Sequence, residues 1–276
     1  MKISVVVPTY NRRDLLKRAL LSIFSQTSLP AEVTVIDDGS TDGTELMLRR
    51  EFPQVNYYCQ ENLGVSAARN LGIQQTNSDW VAFLDSDDEW LPEKLAAQKA
   101  ALTANPEYRI CHTEENWVRN GSRVDVPKKY AKTGGWIFAD CLPLCAISPS
   151  TVLIHRSVFT GIGLFDTQLP ACEDYDLWLR IAANYPVLLV EQPQINKYGG
   201  HDDQLSMAFW GMDRFRINAL QKIIAAGQLS EQNRQAAAKM LVKKARIYLA
   251  GVTKRGKTDE ADYYRQLINR YAADAV

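Results

Sequence analysis

The sequence predicts an α/β protein: a mostly parallel sheet flanked by helices, followed by a helical C-terminal extension. Three observations predict it. Strand and helix patterns alternate through the first hundred residues, polar clusters close successive strands, and the pattern turns helical from Ala208 onward. Alternation at this spacing implies a parallel sheet with helices on both faces.

The elements follow in order. Ile3 to Val7 is a continuous β-branched run, as expected of a strand buried on both faces. Arg12 to Gln26 carries Leu15, Leu16, Ala19, Leu20, Ile23 and Phe24 as a helical stripe. Glu32 to Ile36 reads as a second strand, and Thr41 to Arg50 as a helix capped by Ser40 or Asp42. Val55 to Cys59 is a third strand, and Val65 to Gln75 a helix entered through Asn62-Leu63-Gly64. Trp80 to Leu84 is a fourth strand, and Pro92 to Ala104 a helix with proline in its first turn. Beyond about residue 106 the rhythm breaks. Ile110 to Val118 and Arg123 to Val126 flank a hairpin turn at Asn120-Gly121. Thr151 to His155 is a short strand, Asp174 to Asn184 a helix, and Gly227 and Gly251 are expected breaks in the C-terminal helices.

Bulk properties exclude several classes. With 276 residues, 46% hydrophobic and 23% charged, the chain has the composition of an ordinary globular protein. Lysine plus arginine equals aspartate plus glutamate at 32 each, which gives no general reason to expect nucleic acid. The N-terminal apolar run is too short for a secretory signal, and no stretch approaches the length of a membrane span. The cysteines Cys59, Cys111, Cys141, Cys145 and Cys172 are scattered without paired spacing, so reduced thiols in a cytoplasm are expected.

In an open parallel sheet, ligands sit at the carboxyl ends of the strands. The first strand ends at Pro8-Thr9-Tyr10-Asn11, the second at Asp37-Asp38-Gly39-Ser40, and the fourth at Asp85-Ser86-Asp87-Asp88. Three carboxylates within four residues repel one another unless a cation or solvent intervenes. Residues i and i+2 of an extended segment point the same way, so Asp85 and Asp87 can face one site. Mg²⁺ and Mn²⁺ suit such a site, taking one or two carboxylates, some waters and substrate phosphates. The alternative is a solvated turn that caps the next helix. Of Asp37 and Asp38, one can serve the turn and the other a base or ribose. Arg69, on a helix with small neighbours, can aim at the strand ends and pair with a nucleotide or an aspartate. Glu173 and Asp174 open an amphipathic helix; acids there complement the helix dipole, and one held rigidly is also placed to act as a general base. His201 lies in a glycine-flanked loop, with solvent or with a metal or diphosphate as its partner.

VVVPTYNR, VIDDGSTDGT, ENLGVSAARNLGI, FLDSDDEWLPEKL and CEDYDLWLR, in this order, resemble the family 2 inverting glycosyltransferases of GT-A fold. The resemblance spans residues 2 to 205. It implies a catalytic domain over 1–205, with a nucleotide-binding half at 1–105 and an acceptor half at 106–205, and a helical extension over 206–276. It also implies metal-dependent transfer from a nucleoside-diphosphate sugar, a UDP-sugar first among donors, to an acceptor hydroxyl in glycan or surface polysaccharide synthesis. Pro8, Thr9 and Tyr10 would line the nucleoside pocket and Asp38 would bond the base with Arg69 nearby. Asp85, with Ser86 beside it, and Asp87 look like the DxD pair, one serving the ribose and the other the metal. Asp174 matches the catalytic base, and His201 and Ser206 resemble a late His…Ser element.

Rival readings are a dinucleotide oxidoreductase, a sugar-nucleotide nucleotidyltransferase and an inactive nucleotide-sugar-binding module. The first two want a glycine-rich loop where this chain has Pro8-Thr9-Tyr10-Asn11, and the third usually loses acids that this chain keeps. From Gln232 to Thr258 no acidic residue occurs among many basic ones. That segment reads as a solvated helix face packed on the catalytic domain, as a peripheral contact with an anionic membrane or a lipid-linked diphosphate acceptor, or as a homodimer face.

Overall fold

The computed structural model describes residues 1–200 and 209–275. Its first half is the expected alternation: β1 (Ile3–Thr9), α1 (Arg13–Phe24), β2 (Glu32–Asp37), α2 (Thr44–Glu51), β3 (Asn56–Cys59), α3 (Val65–Gln75) and β4 (Trp80–Phe83). β5 (Glu89–Trp90), α4 (Lys94–Ala104), β6 (Ile110–Arg119) and β7 (Ser122–Val124) follow. Then come α5 (Phe138–Cys141), a 3₁₀ turn (Pro149–Thr151), β8 (Leu153–His155), α6 (Arg156–Ile162), α7 (Glu173–Ala182) and β9 (Leu188–Gly199). The C-terminal helices are α8 (Asp213–Ala225), α9 (Glu231–Lys254) and α10 (Thr258–Ala272).

The strands form one sheet in the order β3-β2-β1-β4-β8-β6-β9-β5, with β7 beside β6. β1 lies between β2 and β4 and is parallel to both, with Val6 opposite Thr34 and Phe83. Beyond β4 the sheet becomes mixed: β8 runs antiparallel to β4 and β6, whereas β9 is parallel to β6. β1 alternates its side chains between two cores. Val5 and Val7 join Leu16, Leu20 and Leu95 on one face, while Val6 joins Phe83, Trp178, Leu241 and Tyr248 on the other. The C-terminal helices therefore share a continuous core with the sheet.

Several boundaries differ from expectation. α2 begins at Thr44 rather than Thr41, because Gly43 takes a left-handed conformation and Asp42 Oδ1 accepts the Thr44 N–H at 3.1 Å. Pro92 and Glu93 form a turn ahead of α4. The Asn120-Gly121 hairpin is present, both residues having the positive φ of a type I′ turn. The long strand β9 was not foreseen, since Pro193 interrupts its sequence; the register with β6 shifts beside that residue. Gly227 ends α8 as expected, but Gly251 does not break a helix. α9 runs through it, and the missing side chain leaves room for Arg255, whose Nη2 would lie 2.7 Å from a Cβ there. The Arg255 guanidinium instead stacks 3.8 Å above the Trp210 ring.

Candidate active site

At the carboxyl edge of β1, β2 and β4 lies a cavity of about 690 Å³. Its wall includes Pro8, Thr9, Tyr10, Asp38, Arg69, Asp85, Ser86, Asp87 and Asp174, residues drawn from five separate segments of chain. His201 and Ser206 lie outside the described residues.

The two aspartates after β2 divide their work. Asp37 is committed to the fold, accepting the Ser40 N–H at 2.8 Å and the Tyr57 hydroxyl at 3.0 Å. Asp38 faces the cavity while holding the loop that forms its side. Its Oδ1 accepts from Gln60 Nε2 at 2.6 Å and Leu63 N at 2.9 Å, and its Oδ2 from Gly64 N at 2.9 Å. Those bonds set the entrance to α3, which carries Arg69 inward. α3 approaches β1 closely because residue 72 is glycine: a Cβ there would lie 2.2 Å from Val6 Cγ1.

Arg69 is 3% exposed and bridges two acids, donating to Asp85 Oδ1 at 2.7 Å and to Glu173 Oε1 at 2.8 Å. The aspartate pairing expected for it is present, and Glu173 joins it. Asp87 pairs with Arg12 at 3.0 Å, and its carbonyl accepts from Arg18 at 2.5 Å. Asp88 turns into the protein, where it accepts the Ser150 hydroxyl at 2.6 Å and the Tyr198 N–H at 3.0 Å. Burial, and then the charges of Asp87 and Asp85, push its carboxyl well up. All three aspartates line the cavity, but Asp88 is also tied into the scaffold through Ser150 and Tyr198.

On the far wall, Cys172 takes a left-handed φ of 62° and starts α7 so that Glu173 and Asp174 emerge together. Leu177, Trp178 and Ile181 are fully buried and anchor that helix. Glu173 is pushed up to about 7 by burial and by neighbouring Asp174, against the pull of Arg69. Asp174 accepts the Tyr175 N–H at 2.7 Å on Oδ1 and the Cys145 thiol at 3.0 Å on Oδ2. Lys197, on β9, donates to Ser148 Oγ at 2.8 Å; burial pushes its ammonium down, but Glu115 and Asp88 outweigh that and raise it.

Sequence reasoning missed Cys145, Lys197, Met212 and Arg216, all on the cavity wall. The last two come from the start of the C-terminal helices, where no motif was recognised. Arg12, next to the Pro8–Asn11 cluster, was the one addition with a positional signal. Among the described residues, no group of three His, Cys, Asp or Glu side chains forms a ready-made metal cage. Asp85 and Asp87 do offer hard carboxylate oxygens on one cavity, a donor set that fits Mg²⁺ or Mn²⁺ completed by phosphate oxygens and water.

An acid-lined cleft at the carboxyl edge of a half-parallel, half-mixed sheet defines the class: an α/β protein with a cavity at its topological switch point. The chain belongs to glycosyl transferase family 2, whose model matches residues 4–134. It is 32% identical over 193 residues to YwdF of Bacillus subtilis (strain 168), an uncharacterized glycosyltransferase, covering 68% of this chain and 70% of that one. It is 29% identical over 202 residues to WcaA of Escherichia coli (strain K12), a glycosyl transferase named for colanic acid biosynthesis, covering 66% of this chain and 67% of that one. The chain spans 26% of the length of a Rickettsia bellii relative and 60% of one from Rickettsia typhi. The fold is that of the crystal structure of S. aureus TarS 1-349 in complex with UDP-GlcNAc. The TM-score is 0.69 at 20% identity, over 99% of this chain and 92% of that one.

Proposed function

We propose that this protein transfers a sugar from a nucleoside-diphosphate donor, a UDP-sugar first among candidates, to an acceptor hydroxyl with inversion at the anomeric carbon. The observation that carries the proposal is the gathering of Asp38, Asp85, Asp87 and Asp174 on one cavity, whose size suits a small-molecule ligand. Pro8, Thr9, Tyr10 and Asp38 would receive the nucleoside, Asp85 and Ser86 the ribose, and Asp87 a divalent cation on the diphosphate. Mg²⁺ or Mn²⁺ held there would neutralise the charge that grows on the departing diphosphate. Arg12, Lys197 and Arg216 bring further positive charge to the same cavity. Arg69 acts indirectly, fixing Asp85 relative to the far wall. Asp174, rigid at the start of α7, would take the proton of the acceptor hydroxyl as its oxygen attacks. UDP-GlcNAc in the TarS complex supports a UDP-sugar donor, and the name of WcaA supports a surface polysaccharide as acceptor.

Calorimetry against a panel of nucleoside diphosphates, with and without Mn²⁺, tests base choice and metal dependence together. Asp174→Asn should leave donor affinity within about twofold while transfer falls about 10²- to 10⁴-fold. Weakened donor binding with near-normal turnover would sink the base assignment.

Residues 1–205 would form the catalytic domain, 1–105 serving the donor and 106–205 the acceptor, with 206–276 as a helical extension. No helix among the described residues is long and apolar enough to cross a membrane. In the basic stretch 232–258, Leu241 and Tyr248 are spent on the core and Lys244 pairs inward with Asp213 at 3.1 Å. Lys239, Lys243, Arg246 and Lys254 remain outside. A peripheral contact with the cytoplasmic leaflet would therefore be electrostatic, at about 1 kcal/mol per cation. Cosedimentation with anionic vesicles should be lost on raising salt and on charge reversal at Lys239, Lys243 and Arg246. Absence of binding even at low salt would leave this face to solvent or to a homodimer.

A further inference from the structure

We propose that Cys145 is a positioning residue for Asp174: its thiol, donating across the cavity wall, fixes which carboxylate oxygen faces the acceptor and tunes how readily it takes a proton. The inference rests on the reading of Asp174 as general base.

The geometry is specific. Asp174 Oδ1 is held by the Tyr175 N–H at 2.7 Å, so its orientation depends on what reaches Oδ2, and Cys145 Sγ reaches it at 3.0 Å. Cys145 also lies 3.2 Å from the Ile147 carbonyl. A thiol has one proton, and a carboxylate is the stronger acceptor. The segment that carries Cys145 is pinned at both ends. The Tyr175 hydroxyl donates to the Leu142 carbonyl at 2.7 Å, while Ser148 accepts from Lys197 at 2.8 Å and Ser150 donates to Asp88 at 2.6 Å. One short stretch of chain therefore touches both the acids behind the donor side and the carboxylate of the acceptor side. Sequence patterning offered no sign of this.

Burial, then the Asp174 charge, pushes the Cys145 thiol well up, so it stays protonated and able to donate. Other charged or titratable groups surround Asp174. Glu173 and Cys172 stand on its own helix start, Lys197 on β9, and Arg216 on α8 across the cavity. Among the described residues, Cys145 is the side chain that hydrogen-bonds the Asp174 carboxylate; the others act through space. A hydrogen bond donated to a carboxylate favours its charged form. A thiol is a weak donor that orients the group; a hydroxyl is a stronger donor to the same oxygen, and a methyl donates nothing.

Two measurements test the proposal. The first is the infrared S–H stretching band of Cys145, isolated by subtracting the Cys145→Ser spectrum. The band should lie at lower frequency in the parent protein than in Asp174→Asn. The second is the pH profile of kcat/KM for transfer, run with the UDP-sugar that calorimetry selects. Its low-pH limb should move up by about half a pH unit in Cys145→Ala and down in Cys145→Ser. In Cys145→Ala, kcat should fall about three- to tenfold with donor KM and melting temperature unchanged. A merely structural cysteine would shift KM or stability and leave the limb in place. An S–H band indifferent to Asp174→Asn, or a limb that stays put in both variants while Asp174→Asn is inactive, overturns the role of Cys145 and spares the base assignment. Full transfer by Asp174→Asn overturns both.

Discussion

Replacing Arg69 by methionine keeps most of the side-chain volume and removes the cation that Asp85 and Glu173 share. The guanidinium lies 2.7 Å from one carboxylate and 2.8 Å from the other. Removing one partner of a buried pair typically costs about 3–5 kcal/mol, because the charge left behind is stranded. The Asp85 side chain keeps solvent contact at 27% exposure and the Glu173 side chain hardly any at 5%, so the loss falls mainly on Glu173. About 3 kcal/mol at pH 8 is expected, a drop in Tm of about 6–12 °C for a chain of this size. The pH dependence is more diagnostic than the size. Glu173 is already pushed up to about 7 in the folded protein, above the value of about 4.3 for an unfolded glutamate. The folded state therefore binds this proton more tightly and gains stability as pH falls from about 7 towards 4. Without Arg69 the carboxyl rises further, so acidification to pH 5.5 should recover most of the lost stability. Scanning calorimetry at the two pH values reads both effects. An equal loss at pH 8 and pH 5.5, or a loss under about 1 kcal/mol at pH 8, would show that Glu173 does not depend on Arg69.

Two further variants probe the donor wall. Asp38→Asn turns an amide NH₂ towards one of the donors at Gln60, Leu63 and Gly64, which should cost about 1–3 kcal/mol; nucleotide affinity should weaken at least about tenfold by calorimetry. Gly72→Ala drives a methyl into Val6, a stiff β-branched neighbour, at about 1–3 kcal/mol against a helix-propensity gain of about 1. The helix should lift from β1 and carry Arg69 with it, lowering donor affinity along with Tm. Parent-like values of both would mean that α3 has slack.

The first hundred residues were legible because their signals are local. A β-branched run, a helical stripe and a polar strand end each lie within about twelve residues, and parallel-sheet topology sends every such end to the same edge. The five quoted motifs accordingly meet on one cavity, as their order implied. What stayed hidden was set by tertiary contacts. The partition between Asp37 and Asp38 depends on Tyr57 and on the Gln60–Gly64 loop. The inward turn of Asp88 depends on Ser150, 62 residues away. β9 escaped notice because Pro193 argues against a central strand, and with it went Lys197. Gly251 was misjudged because a single glycine costs a helix only about 1 kcal/mol, less than the burial of Tyr248 and Val252 beside it returns.

Met212 and Arg216 close a cavity whose opposite wall is built by the first hundred residues. The binding chamber is thus not confined to the stretch that the family model recognises. Exchanging only residues 4–134 between relatives would join one wall of that cavity to a foreign opposite wall, so a chimera meant to carry the whole cavity has to bring the start of α8 with it. On the proposed reading of the site, that division would let the wall facing the acceptor be rewritten in a helical appendage while the aspartates proposed to hold the nucleotide stay in place.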